Sequence, residues 1–349
     1  GHLGDIVLAT AVVPILKALY ASVEIGFLIR PISKKVISNH PDIKYIHTLE
    51  HFSRSRISKS LIVKVIHYFK EKSLTLRDIE RIRYDVAIDL RSWWPNYHTV
   101  LWKSKIPIRI GYKRLTLSFL LTHPVSYEYN TEHEVNNYLL LIKVLSGSMT
   151  LPKHNFLYSI PSLNASNLIN YNLSKNSVID SIIRERYIVI HPSSSKKEKD
   201  WSITGWRQLA VMLSNRGYKV IFTGHGSKDA LLIDSILKGL NNSILNFCNA
   251  LSWHEYIQII RSATIVFTVD TVAGHIAAAT QSPCIVLYSG ISDYHQWAPI
   301  NSIVIWNNVR CYPCLKKNGC RKMSCIKEIS PEVVYKSAEE VLLLKCIPI

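Results

Sequence analysis

The sequence predicts an α/β protein built from two Rossmann-like sheets, one in each half of the chain, and three observations carry that reading. Short apolar runs alternate with amphipathic stretches along both halves, which is the rhythm of βαβ units. The chain has 349 residues, room for two domains at roughly 100–200 residues each. Its composition, 48% hydrophobic and 19% charged, supplies two sizeable cores and excludes a disordered chain. Such sheets bind ligands at the carboxyl ends of their strands and in the cleft between domains.

In the first half a helix is expected over about residues 8–20, extended runs over 24–29, 43–49 and 86–90, and a long helical region over 58–82. Gly4-Asp5 reads as a strand-to-helix turn, so a strand is expected before it. The chain opens GHLGDIV without Met, which leaves a start further upstream and a removed leader open. Residues 153–186, with Pro161 and several Asn and Ser, read as the crossing between domains. The expected division is therefore a first domain at 1–165, a second at 180–330, and a C-terminal helix at 331–349 that could pack back toward the first domain.

The second half is patterned more cleanly. A strand is expected at 187–191, followed by a helix capped by Ser202 that brings Trp206, Leu209, Ala210 and Leu213 to one face. A strand at 219–224, a helix at 228–239 and a strand at 244–248 follow. The segment from Ser252 to Glu255 is a capping box opening the next helix. The strand at 264–270 runs straight into a helix near 272–280, and another strand follows at 284–289. Ser330 as cap and Pro331 at the first helical position open the last helix, at 331–345.

Lys and Arg number 42 against 25 Asp and Glu, a net charge of +17. That balance favours anionic partners: phosphorylated small molecules, nucleic acid or an anionic membrane surface. The apolar stretch at 6–16 has 11 residues, short of the ~18–20 a bilayer requires, so no transmembrane helix is expected. Seven cysteines are too few for a disulfide-framed chain of this size, which points to a reducing, cytoplasmic setting.

Four segments have residues suited to chemistry. Asp5, at the glycine-flanked turn, suits a general base or an acceptor for sugar hydroxyls, and equally a helix cap. His191-Pro-Ser-Ser194-Ser195 follows a strand, with Lys196, Lys197 and Lys199 in the loop before Trp201. Hydroxyls, backbone N–H groups and a cation at a strand end make a phosphate site, or else a solvated basic loop. In the segment from Phe267 to His275, Asp270 ends an apolar strand and Thr271 opens a helix of small residues. Asp270 could accept sugar hydroxyls, and Thr271 with the helix N–H groups could hold a diphosphate. His275 lies four residues on, so on the same helix face, and could be a packing histidine instead. Cys311, Cys314, Cys320 and Cys325 fall close together and could hold a structural zinc or iron, or remain thiols or local disulfides. Nucleic-acid binding is the weaker use of the charge, because no zinc-finger spacing, RNP signature or separate helix-turn-helix is present.

Taken in order, Gly4-Asp5, the His133-Glu-Val segment, HPSSSKKEKDW at 191–201, VDTVAGHIAAA at 269–279 and CYPCLKKNGCRKMSCIKEISPEVV at 311–334 resemble glycosyltransferase family 9. The resemblance is greatest to its ADP-heptose:lipopolysaccharide heptosyltransferases and runs over nearly the whole chain. It implies a GT-B fold, two Rossmann-like domains facing across a cleft, and inverting transfer of heptose from ADP-heptose without a catalytic cofactor. By the resemblance Asp5 matches the base, Lys199 the donor-phosphate lysine, and Asp270-Thr271 the donor-contacting pair. His275 matches the histidine of the same motif, and Ser194 and Ser195 fall in the donor loop. Val272 stands where the family has glycine, and Asp229 is the nearest carboxylate to the family's ribose-binding glutamate. The implied acceptor is a lipid A–core or related anionic glycan, reached by peripheral contact with the inner face of a bacterial inner membrane. Another nucleotide sugar, a protein or other glycan acceptor, and a noncatalytic nucleotide-binding or nucleic-acid-binding module are the alternatives.

Overall fold

The computed structural model describes residues 2–51, 60–91, 97–113, 117–127, 132–146, 177–240, 244–316 and 318–344. The chain divides into two compact units, Gly1–Ser162 and Leu163–Ile349. Most of the expected crossing at 153–186 lies outside the described residues.

The first unit opens with α1 (Leu3–Ala9) and α2 (Val12–Leu19), then β1 (Ile25–Ile29), α3 (Lys34–Ile37) and β2 (Ile43–Thr48). It continues with α4 (Leu61–Ile82), β3 (Val86–Asp89), α5 (His98–Lys103), β4 (Ile108–Tyr112), β5 (His123–Val125) and α6 (Glu134–Ser146). β1 pairs in parallel with β2, and β3, β4 and β5 form a second parallel set. Ile6, Val7 and Leu8 of α1 and Val135, Leu141 and Ile142 of α6 are buried, and α6 packs against both α1 and α2.

Two sequence expectations are corrected here. The helix expected at 8–20 begins earlier and is interrupted at residues 10–11. The Thr10 hydroxyl donates to the Val7 carbonyl at 2.6 Å, a local bond that competes with the helix. Pro14, which has no N–H to offer, sits in the first turn of α2, where none is needed. Gly4-Asp5 accordingly lies inside the first turn of α1 rather than ahead of it. β4 and β5 were not foreseen, because a strand of three residues such as His123–Val125, with two positions exposed, leaves no periodicity to read.

The second unit runs α7 (Ser177–Ile182), β6 (Tyr187–His191), α8 (Ile203–Asn215), β7 (Lys219–Phe222), α9 (Ser227–Leu237), β8 (Ile244–Asn246) and α10 (Trp253–Arg261). β9 (Ile265–Val269), α11 (Val272–Ala279), β10 (Cys284–Leu287), α12 (Tyr294–Trp297), β11 (Ile303–Ile305), α13 (Ser324–Lys327) and α14 (Pro331–Leu344) complete it. Among its described residues six strands lie parallel in the order β11-β10-β9-β6-β7-β8. Every residue of β6, β9 and β10 is buried, which explains why these strands read as near-continuous apolar runs.

The order reverses between β6 and β9, so the chain leaves these neighbours in opposite directions and opens a crevice at their carboxyl ends. Trp206, Leu209 and Leu213 of α8 meet Val220, Phe222 and Phe267 of the sheet in one core. Truncating Phe267 to Ala there would cost roughly 3–5 kcal/mol. α14 packs on α8, β9 and β10, and its buried Val334, Ala338 and Leu342 belong to this same core. The apolar face of the C-terminal helix is thus used within the second unit.

Candidate functional site at the carboxyl edge of the second sheet

β6 delivers His191 to the crevice. Its Nδ1 lies 3.1 Å from the Thr223 hydroxyl, just beyond β7, and 3.1 Å from the Tyr256 hydroxyl of α10. Burial depresses its pKa to about 4, against the opposing charge of Asp229, so at neutral pH the ring is uncharged. Thr268 of β9 donates to the His191 carbonyl at 3.0 Å and ties the two strands at the point of reversal.

The loop after β6 is ordered by its own polar groups. The Ser194 hydroxyl donates to the Lys196 carbonyl at 2.7 Å and accepts from the Lys196 N–H at 3.1 Å. The Ser194 N–H donates to Asp200 at 2.9 Å. Lys228 of α9 reaches the other Asp200 oxygen at 2.9 Å and the Ser194 carbonyl at 2.7 Å. Burial nevertheless holds the Asp200 carboxyl above its ordinary range. Ser195 projects outward and is exposed.

The loop ends on Trp201, which is buried, packs edge-to-face on Trp206 at 5.0 Å and donates its indole N–H to the Ile329 carbonyl at 3.0 Å. A Cβ on Gly205 would come within 2.5 Å of the Trp201 ring, so glycine is what lets the indole seat against α8. Lys199, two residues before this anchor, ion-pairs with Asp270; the two side chains are only 19% and 10% exposed. The pair joins the β6 loop to the carboxyl end of β9.

Thr271 is the N-cap of α11 in extended conformation, and its side chain makes no capping bond. The helix N-terminus therefore presents unsatisfied N–H groups beside the Lys199 ammonium, the environment that favours an anion. Val272 is half-buried as the first helical residue. A Cβ on Gly274 would stand 2.7 Å from Pro299, so the glycine permits close seating of the helix. His275, within α11, is 5% exposed and sits in the packed interior.

Asp229 accepts the His225 N–H at 2.8 Å, bracing the turn after β7. Asp5 belongs to the first unit, where its Oδ2 accepts the His2 N–H at 2.6 Å and fixes the carboxylate at the start of α1. Ser194, Lys199, Asp270, Thr271 and Val272 thus share one strand edge, whereas Asp5 occupies its own unit.

The four cysteines of the expected metal set lie in the segment that follows β11. Among the described residues no three His, Cys, Asp or Glu side chains are placed to share an ion. Cys311 and Cys320 are exposed thiols. Cys320 Sγ accepts the Met323 N–H at 3.4 Å, and Cys325 Sγ accepts the Gly290 N–H at 3.3 Å. Burial pushes the Cys325 thiol up, and the neighbouring Cys314, Cys320 and Cys311 add to the rise. Two of the four sulfurs, those of Cys320 and Cys325, thus accept local backbone N–H groups.

Sequence reasoning missed the parts played by Asp200 in the loop, Lys228 of α9, and Thr223 and Tyr256, the partners of His191, which are brought together only by the fold. It also missed an aromatic group at the same sheet edge, where Tyr294 lies 4.6 Å from Trp306 and 5.9 Å from Tyr312 between ring centroids. In the first unit it missed Asp89, buried at the end of β3 and held by Arg91 through two contacts of 3.2 Å. Arg91 also lies 3.9 Å over the Tyr97 ring.

Comparison with known proteins bears on this arrangement. The structure superposes on the glycosyl transferase family 9 protein from Veillonella parvula DSM 2008 with a TM-score of 0.80, at 18% identity over 99% of this chain and 95% of that one. It superposes on the E. coli ADP-heptose lps heptosyltransferase II with a TM-score of 0.74, at 18% identity over 99% and 97%. These likenesses show the fold, a mixed α/β GT-B fold with parallel sheets. In sequence, the chain is 23% identical over 311 residues to lipopolysaccharide heptosyltransferase 3 of Escherichia coli, covering 87% of this chain and 86% of that protein. The family described as glycosyltransferase family 9 (heptosyltransferase) matches residues 75–324. A strand edge that pairs a lysine with an aspartate beside an open helix N-terminus is therefore found in a chain that belongs to glycosyltransferase family 9 and is a glycosyltransferase.

Proposed function

We propose that this enzyme transfers heptose from ADP-L-glycero-D-manno-heptose to an inner-core acceptor of lipopolysaccharide, with inversion. The observation that carries the reading is the Lys199–Asp270 pair at the N-terminus of α11. A diphosphate arriving at that terminus takes up the helix N–H groups and the Lys199 ammonium, and releases Asp270 toward the sugar hydroxyls. The heptosyltransferases that this chain resembles in sequence act on lipopolysaccharide by name, and the net charge of +17 suits a phosphorylated glycan acceptor.

In the proposed reaction the acceptor hydroxyl attacks the anomeric carbon from the face opposite ADP. Asp5 takes the hydroxyl proton, the new C–O bond forms, and the electrons of the breaking C–O bond pass to the departing diphosphate. Lys199, Thr271 and the α11 N–H groups stabilise the charge that gathers on ADP. A diphosphate leaves without protonation, so one carboxylate suffices where a hydrolase uses two. The scheme calls on no catalytic cofactor. Ser194 and Asp229 act by shaping the loops, since their polar atoms already serve local backbone.

The experiment is mass spectrometry of the protein incubated with ADP-L-glycero-D-manno-heptose and heptose-deficient lipopolysaccharide, with Asp5→Asn in parallel. The expected product gains one heptose with the parent enzyme alone. Tight binding of the ADP-sugar without transfer would reject the acceptor, and absence of both would reject the donor.

A further inference from the structure

The carboxyl edge of the second sheet continues past Asp270, on the side away from the β6 loop. The last paired row of β9, β10 and β11 is Val269, Leu287 and Ile305. The next residues are Asp270, Tyr288 and Trp306, and at ~4.8 Å per strand Trp306 stands roughly 10 Å along the edge from Asp270. The Tyr288 N–H donates to the Ile305 carbonyl at 2.8 Å, which carries the β10–β11 pairing to this row. Tyr288 is fully buried, whereas Trp306 remains 36% exposed.

Trp306 belongs to a group of rings. It lies 4.6 Å from Tyr294 and 6.2 Å from Tyr312 between centroids, at interplanar angles of 37° and 39°. His295 stacks on Tyr294 at 4.0 Å and 28°. In the core, by contrast, Trp201 and Trp206 meet edge-on at 81°. Polar bonds hold the edge rings in place: the Tyr312 hydroxyl accepts the Tyr294 N–H at 3.2 Å, and Asp293 accepts from the His295 N–H at 3.0 Å. Burial pushes the Tyr312 phenol up, and the charges of Asp293 and Asp270 add to the rise, so the rings and the Asp270 carboxylate are near neighbours.

The strand order fixes what this neighbourhood meets. The β6 and β7 loops lie to one side of Asp270 and the rings after β10 and β11 lie to the other. A nucleotide sugar with its diphosphate at the N-terminus of α11 has its nucleoside and its sugar on opposite sides of that point. With Asp270 on the sugar hydroxyls, the sugar extends toward Trp306. A sugar ring carries hydroxyls around its rim and C–H bonds on its faces, and a partly exposed aromatic face beside a carboxylate complements both.

We propose that Trp306, backed by Tyr294 and Tyr312, is the platform on which the transferred sugar of the donor stacks. It gives the sugar nucleotide affinity that the bare nucleotide does not receive. The inference rests on the nucleotide-sugar reading above and extends it to a residue outside the motifs that suggested that reading.

The test is isothermal titration of the full chain with ADP and with ADP-L-glycero-D-manno-heptose, for the parent, Trp306→Leu and Trp306→Phe. Leucine keeps apolar bulk against Tyr294 without a flat face, and circular dichroism checks that each variant is folded. Trp306→Leu should weaken the ADP-sugar by roughly tenfold and leave ADP unchanged, while Trp306→Phe should recover most of the loss. Equal weakening of both ligands would make Trp306 a support of the fold, and no weakening of either would remove it from the site; each overturns the proposal. A Trp306→Leu enzyme with normal ADP-sugar affinity but a raised KM for the acceptor would assign the rings to the acceptor and overturn it too. A parent that binds ADP no less tightly than the variants but does not bind the ADP-sugar would reject the donor reading itself, and the platform with it.

Discussion

Lys199 and Asp270 form an ion pair across the point where the strand order of the second sheet reverses, joining the loop after β6 to the carboxyl end of β9. Both side chains are largely removed from water, so removing one would leave the other charge uncompensated. Before a ligand arrives, Asp270 occupies the cation that a diphosphate would use.

Removing either partner should therefore have opposite effects on nucleotide affinity. Lys199→Ala is expected to weaken ADP by roughly 10–100-fold, the worth of one charge-assisted hydrogen bond. Asp270→Asn should leave ADP affinity equal to or tighter than that of the parent while slowing sugar transfer. Isothermal titration with ADP, alongside turnover, checks both; weaker ADP binding by Asp270→Asn would show that the carboxylate does not compete for Lys199.

Asp5 sits in the first turn of α1 with one oxygen bound to the His2 N–H. Asp5→Asn keeps that acceptor but cannot take a proton. Transfer should fall by roughly 10²–10⁴-fold, with ADP affinity unchanged. A variant that retained near-normal turnover would remove Asp5 from the role of base.

Gly205 gives the Trp201 ring its seat, and a methyl group there would approach the ring to 2.5 Å. Gly205→Ala should destabilise the fold by roughly 1–3 kcal/mol through overpacking. Because Lys199 is two residues from Trp201, the same change should weaken ADP. Urea denaturation and ADP titration measure the two effects, and a variant unaltered in both would show that α8 can yield.

His191 makes stability depend on pH. Its pKa is depressed to about 4 in the folded protein, against ~6.5 in an unfolded chain. Between these values the unfolded state binds the extra proton, so its contribution is present in full above pH ~6.5 and is lost as pH falls toward 4. The loss should be on the order of 1–3 kcal/mol. His191→Gln should flatten this part of the profile, and urea midpoints across the window would reveal an unchanged slope if the histidine were not responsible.

The second unit was more legible than the first for a physical reason. Strands buried on both faces, such as β6, β9 and β10, leave near-continuous apolar runs, and the helices between them carry local start signals. Ser202 and Ser252 do cap α8 and α10 through hydrogen bonds to Gly205 and Glu255. The first unit has short, half-exposed strands and a helix interrupted at Thr10, and these features depend on packing rather than period.

The sequence by itself determined the α/β class, most strands and helices of the second half, the order of the family's motifs, and which loops end in Lys199 and Asp270. Only the tertiary structure decided that these two charges meet, that Ser194 and Asp229 brace their own loops, and that Cys320 and Cys325 accept local backbone N–H groups. It also decided that Asp270, Tyr288 and Trp306 follow one row of β9, β10 and β11. Local propensity is written in neighbouring residues, whereas pairing across 71 positions, as between Lys199 and Asp270, is set by strand order and by what each buried charge finds within reach.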